Sequence, residues 1–176
     1  MRKEHLLITI LLTASLFYFS CKKEATRTNA TKEELAASAS NANAEVPTFN
    51  LEVILRSEGN AFGLVKFRQD VDPSKIITLD TWVRDLQPNH SYLLQRAVDP
   101  INVVDGNCTS TAWLTLGKGL TPQSIATDDT GTGRESLWRD VSAVPSGSSF
   151  DIHFRVVDAT SMAVVLTSDC YQYMVR

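Results

Sequence analysis

The stretch LQPNHSYLLQ, residues 86–95, decides the fold. Its first half reads as a turn and its second half as a buried strand. Leu86, Pro88 and Tyr92 stand in the pattern L-x-P-x-x-x-Y. A tyrosine so placed can bond its hydroxyl back to nearby backbone, the tyrosine-corner device of Greek-key sandwiches. The segment therefore reads as a turn feeding a buried strand of a Greek-key β-sandwich.

The flanking sequence agrees. In FNLEVILRS, Phe49, Leu51, Val53 and Leu55 share one face, and in AFGLVKFRQ, Gly63, Val65 and Phe67 do. Such period-two alternation is the mark of a half-buried strand. SEGN at 57–60 reads as the hairpin turn between these two strands. KIITLDTWV, SYLLQRAV, GRESLWRDV, SFDIHFRVVD, MAVVLTS and CYQYMV read the same way. No helical period is sustained in the domain. Many short strands with turns between them predict an antiparallel Greek-key sandwich or flattened barrel.

The front of the chain has another character. Arg2 and Lys3 precede an apolar run from Leu6 to Phe19, which is short against the roughly 20 residues of a bilayer span. Length and flanks fit a secretory signal over residues 1–20. The run ends at Ser20-Cys21, which resembles a bacterial lipobox, and SCKKE looks like lipoproteins of the Bacteroidota. The resemblance implies a lipid on Cys21 and a membrane partner through it, at the outer membrane, facing the periplasm or the cell surface. The alternative is an ordinary cleaved signal with a free cysteine. Residues 21–46 are rich in Ala, Ser, Asn and Thr and poor in large apolar groups. They cannot bury enough surface to offset their ordering entropy and read as a tether. The domain then runs over residues 47–176.

With Cys21 assigned to lipid, Cys108 and Cys170 remain. In an exported domain they predict a disulfide, against the alternative of two buried thiols. The domain holds 11 Lys and Arg against 15 Asp and Glu, a net charge of −4. That mild acidity argues against a nucleic-acid partner, which requires a basic face.

A family likeness follows in order along the chain. GLVKFRQ (63–69) looks like the opening strand of copper-zinc superoxide dismutases. VRDLQPNHSYLLQ (83–95) resembles the family's histidine-bearing segment. DGNCTSTAW (105–113) and TSDCYQYMV (167–175) resemble its disulfide loop and closing strand, and TDDTGTGRESLWRDV (127–141) the turn and strand between them. Fibronectin type III domains also carry the tyrosine pattern, but there it falls late in a shorter domain. The likeness spans most of residues 50–176 and implies a superoxide dismutase-like fold, with an immunoglobulin-like sandwich as the alternative. The metal chemistry does not carry over. A copper-zinc site needs several imidazoles, and the domain has only His90 and His153. Where the family places histidines, Tyr92, Leu93, Leu94 and Gln95 stand instead. His90 is expected in an exposed turn, and His153 on a solvated outer face with Asp151 and Arg155.

Other motifs are weaker. Asp128 and Asp129 lack the spaced ligands of a calcium loop. GKG at 117–119 is no phosphate loop, and PSGSS at 145–149 is no nucleophile elbow. Trp82, Trp113 and Trp138 are candidates for facing a ligand, since exported sandwiches stack aromatics on sugars and partner side chains. Trp138 is out of phase with Leu137, which puts it on an outer face.

These readings lead to a lipid-anchored, exported, non-catalytic binding or structural module with no cofactor and a protein or glycan partner. The alternatives are a divergent metal-dependent dismutase-like oxidoreductase and a carbohydrate-binding module, the latter requiring two exposed tryptophans on one face.

Overall fold

Each long alternating stretch becomes a strand. The computed structural model describes residues 49–176; the signal segment, Cys21 and the tether lie outside the described residues. Four long strands come first: β1 (Phe49–Arg56), β2 (Phe62–Gln69), β3 (Ile76–Arg84) and β4 (Ser91–Val98). Four short ones follow: β5 (Leu114–Thr115), β6 (Gly117–Lys118), β7 (Thr121–Pro122) and β8 (Ser124–Ala126). The chain continues through β9 (Gly133–Asp140), β10 (Ser149–Asp158), β11 (Val164–Ser168) and β12 (Tyr171–Met174). Among the described residues there is no helix. The short strands β5–β8 carry too few residues to show a period, and the sequence does not mark them.

The strands form one nearly closed sheet in the order β5-β4-β10-β11-β1-β2-β3-β9-β6-β7, with β12 on β10 and β8 on β4. All long ladders are antiparallel; the one parallel contact pairs Lys118 with Trp138, so the sheet is mixed. β3 and β4 follow each other in sequence yet do not pair, because the chain crosses the barrel between them. The result is an all-β Greek-key architecture, a flattened barrel. Its inner face carries Val53, Leu55, Val65, Phe67, Leu79, Val83, Leu94, Leu137, Phe154 and Val156, each at most 2% exposed.

The crossing is held by the turn at residues 86–92. The Gln87 N–H donates to the Tyr92 hydroxyl at 3.0 Å, and Tyr92 is 3% exposed. This turn grips the turn ahead of β9. The Leu86 N–H donates to Gly131 O at 3.2 Å, Asn89 N–H to Asp128 O at 3.0 Å, and Thr127 N–H to His90 O at 2.9 Å. The Thr127 hydroxyl donates to Gln87 O at 2.7 Å and accepts the His90 N–H at 3.0 Å. Gly131 has φ of 77°, and a Cβ there would lie 2.1 Å from Leu86 O. Only glycine fits. Asp128 shapes its own turn by accepting from the Thr130 hydroxyl and from the Thr130 and Thr132 N–H groups. Those bonds, the Thr130 hydroxyl first, hold its carboxyl below the ordinary range.

The other end of the core is aromatic. Tyr173 meets Phe67, Phe49 and Phe150 edge-on, with ring centroids 4.9, 5.0 and 5.3 Å away. Each such pair contributes about 0.5–1.5 kcal/mol beyond area burial. The Tyr173 hydroxyl donates to Oε1 of the fully buried Gln69 at 2.5 Å. Burial pushes that hydroxyl's pKa up.

Tyr92→Phe is expected to destabilise the domain by about 1 kcal/mol, the net worth of one hydrogen bond. Gly131→Ala is expected to cost more, since a left-handed residue and a backbone clash are forced together. Urea unfolding of both variants, read as shifts in midpoint at constant slope, checks the order.

Candidate functional site

Alternation along β4 puts Tyr92, Leu94, Arg96 and Val98 on the core face. Along β9 it puts Gly133, Glu135, Leu137 and Arg139 there. Two arginines therefore point inward where apolar residues are the rule. Both lie toward the end of the barrel opposite the tyrosine turn. No long ladder joins β4 to β9. The gap is stitched by the segment from Leu114 to Gly119. Arg96 pairs with Leu114 across β4 and β5. The Leu116 N–H donates to Leu94 O at 2.8 Å, and the Gly119 N–H to Trp138 O at 3.0 Å. Leu116 is buried, at 3% exposure.

Arg96 and Arg139 border a small, partly open recess with a cavity volume of about 40 Å³. Its wall includes Phe67, Leu79, Leu116, Phe150, Phe154 and Tyr173. The Arg139 Nη1 donates to Gly119 O at 3.2 Å. The Arg96 side chain makes no hydrogen bond or ion pair among the described residues; the charge of Arg139, after bonds from Ser142, helps to lower the pKa of the neighbouring Asp140 carboxyl. Burial, and then the charge of Arg139, lowers the Arg96 pKa from its ordinary value; an arginine so far above neutrality stays protonated. The arrangement brings two guanidinium groups, one of them held by Gly119 O, to the edge of an almost wholly buried aromatic cluster. The sequence carried the signal in SYLLQRAV and GRESLWRDV, where an arginine occupies a core-phase position, but a lone arginine in a strand reads equally well as an end residue.

The residues singled out from the sequence lie elsewhere. Cys108 and Cys170 are bonded, with Cα atoms 5.4 Å apart. Their loop, residues 99–113, lies over the outer face of β10. Asp99 accepts the Thr109 and Ser110 N–H groups at 2.9 and 2.6 Å. Asp151 accepts those of Asp105 and Gly106 at 2.9 and 2.8 Å. His153 reaches Ser110 O at 3.0 Å, and Trp113 lies 4.6 Å from the His153 ring and 4.0 Å under the Arg155 guanidinium. The expected solvated face around His153 is thus corrected. Asp151 is fully buried, because alternation tells which face a side chain takes and not what covers it. His90 is also corrected from exposed to half-buried, since its Nε2 pairs with the Asp158 carboxylate. Backbone N–H groups of Ser161 and Thr160, together with His90, hold Asp158 far below the ordinary range.

The two histidines do not suit a shared metal. His153 and the His90 partner Asp158 stand five residues apart on β10, roughly 17 Å along a strand. Among the described residues no cluster of three or more His, Cys, Asp or Glu is placed to hold one. The tryptophans are divided. Trp82 is half-buried against Phe62, 6.1 Å away, with Arg84 beside both rings. Trp138, 40% exposed, is on the same outer face, four ladder positions from Trp82, or roughly 13 Å. Trp113 lies on the other side, under the loop. The structure brings none of the three to the recess.

Compared with known proteins, the chain matches no family model, no curated protein and no solved structure.

Replacing both cysteines by serine is expected to cost about 4 kcal/mol at most by chain entropy. Calorimetry of the oxidised protein and the double variant checks this. The Asp99 pKa is lowered, by the Thr109 N–H first and then Ser110. A lowered carboxyl pKa stabilises above its unfolded value of about 4, and that stability is lost as pH falls below it. Exchange protection of the Thr109 and Ser110 amides is therefore expected to fall on acidification from about pH 5 towards pH 2, beyond the intrinsic change in exchange rate.

Proposed function

We propose that the chain is a lipid-anchored, exported binding protein whose barrel takes a small ligand in the arginine-bordered recess. The observation that carries this reading is the pair Arg96 and Arg139, turned to the core face beside an aromatic wall, the Arg96 side chain without a hydrogen bond or ion pair among the described residues. Natural cores place arginine inward only with a partner or a purpose. The guanidinium groups supply orientation. The run Leu6–Phe19, Ser20-Cys21 and the tether to residue 46 support display at the outer membrane or cell surface. The dismutase likeness supports the architecture, and the separation of His90 from His153 argues for binding over metal chemistry.

Two measurements test this. Expressed in a Gram-negative host, the full chain is expected to incorporate labelled palmitate and Cys21→Ala to lose it; label retained in the variant removes the anchor. In a fragment-library titration followed by NMR, shift changes are expected to cluster at Phe67, Leu116, Phe154 and the two arginines. Changes clustered on the outer faces at Trp82 or Trp138 would move the site to the carbohydrate-type surface instead.

A further inference from the structure

We infer that the outer face of β2, β3 and β9 binds a neutral oligosaccharide, laid from Trp82 to Trp138 with its hydroxyls over Lys66, Asp80 and Arg134. This face is the reverse of the sheet from the arginine-bordered recess, and the inference does not rest on that recess. Three observations carry it.

The first is shape. Alternation turns Leu64, Lys66, Asp80, Trp82, Arg134 and Trp138 outward. The ladders then set them in rows across the strands. Leu64, Trp82 and Arg134 form one row, Lys66, Asp80 and Ser136 the next, and Arg68, Thr78 and Trp138 the third. An indole therefore stands in each outer row, with a polar row between them. Leu64, Lys66, Asp80, Trp82 and Arg134 line an open depression of about 290 Å³, close to the roughly 300 Å³ at which ligand sites begin. The depression holds part of an extended ligand, and the rest reaches Trp138.

The second is preorganisation of the two rings. Trp82 is backed by Phe62, with ring centroids 6.1 Å apart, and by the Arg84 guanidinium, 5.8 Å from its centre. Trp138 is backed by the turn between β6 and β7. Gly119 has φ of 67°, and a Cβ there would meet Trp138 Cη2 at 2.8 Å; its N–H donates to Trp138 O at 3.0 Å. Trp138 still keeps 40% of its surface exposed. Rings fixed in advance lose little freedom when a ligand stacks on them.

The third is the balance of charge in the polar row. Lys66 stands opposite Asp80 on one side and Glu52 on the other. Asp80 Oδ1 accepts from the Ser136 hydroxyl at 2.8 Å, which leaves its second oxygen for a ligand. Lys66 and Arg134 make no hydrogen bond or ion pair among the described residues. The row thus offers donors and acceptors side by side, and a hydroxyl is both donor and acceptor. A sugar ring joins such hydroxyls to an apolar C–H face that stacks on indole. An acidic glycan would bring its charge against Asp80 and Glu52. A protein interface leaves charged groups out of its centre, and here they occupy it.

The test uses the full chain with five probes: cellohexaose, laminarihexaose, maltohexaose, glucose and an oligogalacturonate. At least one of the three neutral hexasaccharides is expected to bind about tenfold or more tightly than glucose, because only the longer chain reaches both rings. In NMR it is expected to shift the indole N–H signals of Trp82 and Trp138 and to leave that of Trp113 in place. Asp80→Asn, close in shape, is expected to weaken binding roughly tenfold, as loss of a charged hydrogen bond warrants. Arg134→Ala is expected to weaken it at an unchanged melting temperature, since its side chain is exposed and unpaired. Trp138→Ala is expected to weaken it several-fold. Binding that survives all three substitutions overturns the inference, as does a shift map centred elsewhere. Tighter binding of the oligogalacturonate overturns the neutral class, and glucose binding as tightly as the hexasaccharides overturns the span from Trp82 to Trp138. If none of the three hexasaccharides binds, the site is overturned, and the fragment titration still decides the recess by itself.

Discussion

The crossing between β3 and β4 is the constraint on which the rest of the barrel depends. Two consecutive strands that decline to pair must be joined by a turn that satisfies its own backbone. Here Tyr92 takes the Gln87 N–H, and Thr127 and Gly131 take or supply most of the remaining bonds of the turn. Because the same contacts position the start of β9, one cluster fixes both the crossing and the closure. Its consequence is that β4 and β9 become neighbours without a long ladder. Residues 114–126 fill that gap with two- and three-residue strands, and Leu116 among them reaches the recess.

The outside of the barrel is ordered by charge. Asp99 and Asp151 each accept two consecutive backbone N–H groups from one loop, and the bonds to Asp99 lower its pKa. With the disulfide and the stack of Trp113 on His153 and Arg155, they turn a long irregular connection into a fixed cover for β10. Trp113 is therefore part of the cover, and Trp82 is engaged with Phe62 and Arg84. Of the three tryptophans, Trp138 alone is among the exposed large apolar groups.

Polar atoms are left without a partner at three buried positions among the described residues: Asp151 Oδ1 under the loop, Gln69 Nε2 and Arg176 Nε. The long strands turn mostly apolar groups inward, and Gln69 Oε1 accepts from the Tyr173 hydroxyl and the Arg176 N–H. The Arg96 side chain has no such partner among the described residues. Arg96 lies beside the aromatic cluster, at the end of the barrel away from the tyrosine turn.

The sequence alone determined the strand-rich class, the positions of all eight long or closing strands and the turn at 86–92. Period two and turn chemistry are local, so FNLEVILR or SYLLQRAV reads the same wherever it packs. It also marked the two cysteines that the fold joins. What only the tertiary structure decided is which outer faces are covered and which inward residues meet. Asp151 and His153 alternate outward in SFDIHFRVVD, yet a loop some 50 residues earlier in the chain buries one and half-buries the other. Arg96 and Arg139 are 43 residues apart, on strands that become neighbours only through the crossover. Burial and charge proximity belong to such distant pairs, and no local pattern encodes them.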